Sequence, residues 1–209
     1  PMSWSPDGRF VLYAAVKRGE GKPRLWVLPL TGDRKPLPFG NARFSETNAE
    51  FSPDGRWVAY VSNESGRNEV YVAPFPGTGG RRQISTAGGD RPRWRRDGKE
   101  LFYIAANKLT AATVNGQGAT FEVGSARPLF DLQPLNDARG GPRHIYAVAP
   151  DGEQFIVLTP EGQVGAAPIP LVVNWVAGLK RGTAPPSLLN VPPQIVQNES
   201  SCSRNAFDV

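Results

Sequence analysis

The chain has 209 residues, 39% of them hydrophobic, with 23 glycines, 21 prolines and a net charge of +5. That apolar content permits one sizeable β core, while a single cysteine, Cys202, excludes an intramolecular disulfide and a zinc site built from thiols. No apolar run approaches the roughly 18 residues that a membrane-crossing helix needs.

The chain opens with Pro1-Met2-Ser3-Trp4, a stub where later repeats have a full strand, and reads as a piece of something longer. A turn follows, Ser5-Pro6-Asp7-Gly8-Arg9. Phe10 to Val16 and Arg24 to Leu30 read as strands and Lys35 to Phe39 as a short outer one, with Gly19 to Pro23 and Thr31 to Asp33 as loops. The second copy of the turn, Ser52-Pro53-Asp54-Gly55-Arg56, lies between strands expected at Asn48 to Phe51 and Trp57 to Ser62. Glu69 to Ala73 and Arg82 to Ser85 complete that repeat.

The third copy, Arg95-Arg96-Asp97-Gly98-Lys99, lacks the proline but keeps the Asp-Gly pair. Its strands are expected at Arg91 to Trp94, Glu100 to Ala105, Leu109 to Val114 and Arg127 to Phe130, with extra residues around Asn115 to Gly124. A Gly-, Pro- and Asn-rich insertion, Gln133 to Arg143, precedes the fourth repeat, which takes His144 to Val148, the turn Ala149-Pro150-Asp151-Gly152-Glu153, Gln154 to Leu158 and Leu171 to Trp175. From Gly182 the composition turns to Pro, Ser, Asn and Gln with few charges, which reads as a disordered tail over 182–209.

The four turns share one physical logic. Proline presets the first corner, aspartate accepts a local N–H, and Gly8, Gly55, Gly98 and Gly152 take the left-handed position that closes a hairpin. The aspartates Asp7, Asp54, Asp97 and Asp151 recur at intervals of 47, 43 and 54 residues. A strand, an Asp-Gly hairpin and two or three further strands at such a period predict an all-β chain of four β-propeller blades, about 1–46, 47–90, 91–142 and 143–181. In that architecture Tyr13, Tyr60 and Tyr103 pack between adjacent sheets. Four blades with incomplete ends read as an open part of a larger propeller of six to eight blades, and the uncovered flank is expected to make residues 1–181 associate.

Catalytic patterns are missing. The single histidine, His144, falls where an inner strand should begin, and no Gly-x-Ser-x-Gly elbow, P-loop or kinase loop is found. The fragment is therefore expected to be non-catalytic and to need no cofactor or metal. Arg91, Arg93, Arg95 and Arg96 around Trp94 form the candidate anion site, and together with Arg81-Arg82 they invite a nucleic-acid reading. Strand alternation puts Arg91, Arg93 and Arg95 on one face with Glu100 nearby, so a solvated face competes with it and nucleic acid is not the expected partner. A protein or small molecule on a propeller face is.

The stretch Phe51-Ser52-Pro53-Asp54-Gly55-Arg56-Trp57-Val58-Ala59-Tyr60, followed by Glu69-Val70-Tyr71-Val72, resembles the WD40-like (PD40) repeat of the TolB type. Ser62 to Arg67, Val72 to Gly77, Arg93 to Tyr103 and Asn174 to Lys180 resemble the C-terminal propeller of bacterial serine/threonine protein kinases, notably those of acidobacteria. The resemblance covers about residues 3–181. It implies a kinase domain upstream, none of whose residues has a counterpart here, and a location on the outer side of a bacterial inner membrane. The role it implies is sensing or protein interaction. The alternatives are the propeller of a prolyl-oligopeptidase-type hydrolase and a TolB-like envelope scaffold.

Overall fold

The computed structural model describes residues 1–19, 21–77, 80–117, 120–132, 145–158 and 171–172. The calls at His144, the insertion 133–143, the segment 174–181 and the tail 182–209 lie outside the described residues. Fifteen strands and no helix are found among the described residues. They form four antiparallel sheets, each a meander in chain order.

Blade 1 holds β1 (Ser3–Trp4), β2 (Phe10–Val16), β3 (Pro23–Pro29) and β4 (Leu37–Phe39). Blade 2 holds β5 (Glu46–Phe51), β6 (Trp57–Ser62), β7 (Glu69–Pro74) and β8 (Arg82–Gln83). Blade 3 holds β9 (Asp90–Trp94), β10 (Glu100–Ala105), β11 (Lys108–Asn115) and β12 (Glu122–Asp131), and blade 4 holds β13 (Tyr146–Val148), β14 (Phe155–Val157) and β15 (Leu171–Val172). The first strands of successive sheets lie against one another, so the blades converge along that edge.

Two strands differ from expectation. β12 begins at Glu122, so residues assigned to an insertion belong to the sheet, with Asn115 opposite Glu122. An outer-edge strand exposed over most of its length needs no apolar alternation, which is the signal that was missing. β5 begins at Glu46 and carries a bulge between Thr47 and Glu50, where Asn48 takes a φ of 50°.

Each hairpin turn is built alike. Ser5 Oγ donates to Asp7 Oδ1 (2.6 Å) and accepts from Phe10 N (2.9 Å), and Asp7 Oδ1 accepts from Arg9 N. Ser52, Asp54, Trp57 and Arg56 repeat this at 2.6, 2.9 and 3.1 Å. The third and fourth turns lack the serine but keep the aspartate bond, to Lys99 N and Glu153 N. All four glycines have φ between 70° and 74°, which excludes other residues without strain. Successive turns also stand side by side. A β-carbon on Gly55 would lie 3.3 Å from Pro6 Cδ, one on Gly98 4.0 Å from Pro53 Cδ, and one on Gly152 3.0 Å from Arg95 Cδ.

The core is three inter-blade layers. In the first, Leu12, Leu25 and Val27 meet Phe51, Val58 and Tyr60; in the second, Trp57, Ala59 and Val61 meet Trp94, Leu101 and Tyr103; in the third, Phe102 and Ala111 meet Tyr146, Phe155 and Val157. Alternation along the second strand of each blade thus sends one set of side chains backward and the other forward. Near the turns, Phe75 sits 5.0 Å from both Phe10 and Phe51, and Phe121 sits 4.9 Å from Trp57 and 6.0 Å from Trp94. Tyr60 and Tyr103 are buried, but Tyr13 is only half-buried, because no described blade covers the outward face of blade 1.

Candidate functional site

The inner edge carries a polar cluster that joins three blades. In register, Asn48 and Arg91 stand six residues before the turn aspartates of their blades, and Glu50 and Arg93 four before. β9 carries the same bulge as β5, with Arg91 at a φ of 51°. A bulge turns one extra residue out of the ladder and re-aims its side chain. Here it does so twice, in neighbouring strands.

The consequence is a network across blades 2, 3 and 4. Asn48 Nδ2 donates to Asp90 Oδ1 at 2.7 Å, reaching from blade 2 to blade 3. The same oxygen accepts from Arg91 N (2.7 Å), and Asp90 Oδ2 accepts from Arg91 Nη1 (3.1 Å). Tyr146 of blade 4 donates its hydroxyl to Arg91 O at 2.7 Å. Burial raises the Tyr146 phenol well above its ordinary range, with the Glu50 charge adding to the effect.

Arg93 Nη1 lies 3.4 Å from Glu50 Oε2, an ion-pair contact from one blade to the next. Although 23% of the Glu50 side chain is exposed, Oε2 itself is sealed and has no hydrogen-bond partner, and the same holds for Arg91 Nε. Burial pushes the Glu50 carboxyl up to about 7, outweighing Arg93 and the Trp94 N–H, which pull it down. Met2, Asn48, Ala49, Glu50, Arg91, Pro92 and Arg93 line a cleft of about 20 Å³, room for one water molecule.

Of the four arginines singled out in the sequence, Arg91 and Arg93 are in this cluster. Arg95 lies outside it, 3.1 Å from Glu100 and 3.5 Å from Asp97, and Arg96 is exposed in the third turn. Residues missed in the sequence are Asn48, Glu50, Asp90 and Tyr146. Reading the repeats in register would have found the first two, since Glu50 and Arg93 are equivalent positions with opposite charge. Among the described residues, no group of three or more His, Cys, Asp or Glu side chains is placed to hold a metal ion. No helix among them is long and apolar enough to cross a membrane.

No protein-family model matches the chain, and no curated protein matches it in sequence. Solved structures do match in fold. TolB from Acinetobacter baumannii aligns with a TM-score of 0.58 at 21% identity, covering 77% of this chain and 37% of that one. An oligogalacturonate lyase in complex with manganese gives 0.51 at 19% identity, over 71% of this chain and 41% of that one. The propeller domain of Cps50 (Swd1) from Myceliophteria thermophila gives 0.51 at 13% identity, over 91% and 72%. The chain thus spans 37% of the TolB structure and 41% of the lyase. Proteins of such different kinds share only the architecture with it, and what the chain has in common with them is the β-propeller fold.

Proposed function

We propose that this chain is a non-catalytic binding module, a run of propeller blades that presents its inner edge to a protein or small-molecule ligand. The observation that carries the reading is the axial network. Its charged groups are spent on one another across blades, yet Glu50 Oε2 and Arg91 Nε, an acceptor and a donor beside one small cleft, keep unmet hydrogen-bonding capacity. A buried group left in that state costs about 1–3 kcal/mol, which a polar ligand atom entering the cleft recovers. The cluster holds no nucleophile paired with a base, the arrangement that covalent hydrolysis of the serine type uses.

The resemblance to kinase-linked propellers supports reading the module as the sensing or interaction part of a serine/threonine protein kinase-like protein. A thermal-shift screen of peptides and small molecules on the chain, repeated on Glu50→Gln, tests the binding role. Hits whose shift is lost in the variant support it, and a full screen without a variant-sensitive hit overturns it. Phosphotransfer from ATP by the purified chain would contradict the non-catalytic assignment. An α/β-hydrolase domain encoded alongside, in place of a kinase domain, would overturn the kinase connection.

A further inference from the structure

Arg96 stands in the third turn where the other three have Pro6, Pro53 and Pro150. That turn forgoes a preset φ and takes a cation instead, a local rule broken at one place in a regular repeat. Arg91, Arg93 and Arg95 each have a carboxylate partner. Arg96 is exposed and, among the described residues, has neither ion pair nor hydrogen bond.

Arg96 borders a cleft of about 270 Å³ between blades 2 and 3, walled by both hairpin turns and by Gly116 and Gln117. The 4–8% of surface that Trp57, Trp94 and Phe121 leave exposed forms its floor. Both indole N–H groups are committed, Trp57 Nε1 to Gly116 O (2.9 Å) and Trp94 Nε1 to Glu50 O (3.3 Å), so the rings offer apolar surface alone. At the rim, Asp54 and Asp97 use Oδ1 inside their own turns and keep Oδ2 for another donor. The two turns also stand further apart here than at the first junction, 4.0 Å against 3.3 Å from proline to the β-carbon position of the facing glycine.

We propose that this cleft is a peptide-binding site that takes one apolar, preferably aromatic, side chain followed by an acidic residue. The side chain lies on the aromatic floor, its acidic neighbour meets Arg96, and peptide N–H groups meet Asp54 or Asp97. The volume is at the lower edge of ligand clefts, about 300 Å³, which suits one large side chain and its flanking backbone. The site shares no lining residue with the axial cleft, so it stands or falls independently of that reading.

The test is an NMR titration of the ¹⁵N-labelled full chain, following the indole N–H signals of Trp57 and Trp94. The probes are N-acetyl-Phe-Glu-amide and N-acetyl-Phe-Lys-amide. Saturable shifts are expected with the first, at least about fivefold tighter than with the second, the size of one partly exposed ion pair. Arg96→Pro restores the turn sequence of the other blades and keeps the fold; it should weaken the Phe-Glu probe about fivefold. Arg96→Gln, which leaves the backbone alone, should do the same, and Arg82→Ala on β8 should not. Equal affinity for the two probes, unchanged binding in both Arg96 variants, or no saturable shift at millimolar probe overturns the proposal.

Discussion

Glu46 is the residue at which the structure makes its sharpest thermodynamic demand. It opens β5 with 1% of its surface exposed, accepts the N–H of Asn41 at 2.8 Å, and lies flat against Gly40. Burial pushes its carboxyl from 4.5 up to about 7, against the pull of the Asn41 N–H and of Arg81. The native state therefore holds a proton that the unfolded chain releases. The associated stability is complete below about pH 4.5 and is lost as the pH rises through 7. At about 1.4 kcal/mol per pH unit the loss is about 3 kcal/mol.

Glu50 titrates with the same sign from the same value to about 7, so the wild type loses both contributions between pH 5 and pH 8. Glu46→Gln removes one. We expect the variant to match the wild type within about 1 kcal/mol at pH 5 and to exceed it by about 2–3 kcal/mol at pH 8. In urea that is a midpoint shift on the order of 1 M. Tryptophan fluorescence and circular dichroism at the two pH values measure it. A wild type whose stability is flat over this range, or a variant equally destabilised at both, would refute the reasoning.

Phe102 is fully buried between blades 3 and 4, 5.1 Å from Phe155 in an edge-to-face pair, and Phe102→Ala should cost about 4 kcal/mol in denaturant unfolding. Gly40 has a φ of 85°, and a β-carbon there would fall 2.0 Å from Glu46 Oε2. Gly40→Ala should cost at least about 2 kcal/mol by the same measurement. The outward face of blade 1 leaves Trp4 60% exposed. Size-exclusion chromatography of the chain should show concentration-dependent association that Trp4→Lys reduces.

The architecture was legible because the turn is written in residue types that act locally. Asp and Gly, joined by Ser in the first two copies, act within five positions, so four copies announce four hairpins before any packing is known. Tyr60 and Tyr103 followed from the same register. What escaped the sequence depends on neighbours in space. The bulges at Asn48 and Arg91 carry no glycine to mark them, and the pairing of Glu50 with Arg93 exists only once blades 2 and 3 stand side by side. Phe75 and Phe121 read as loop residues, yet each loop folds back to insert its ring between two blades. β12 was hidden for the opposite reason, since an exposed edge needs no pattern.

The contacts from one turn to the next give the repeat a mechanical reading. A proline of one blade faces the glycine of the following one, closely at Pro6 and Gly55 and more loosely at Pro53 and Gly98, so each motif is half of a fastener whose other half lies in its neighbour. At the third joint the rigid ring is replaced by the flexible side chain of Arg95 against Gly152. Under load, or on warming, the array should part at that joint first, with blade 4 leaving the stack while blades 1 to 3 remain clasped.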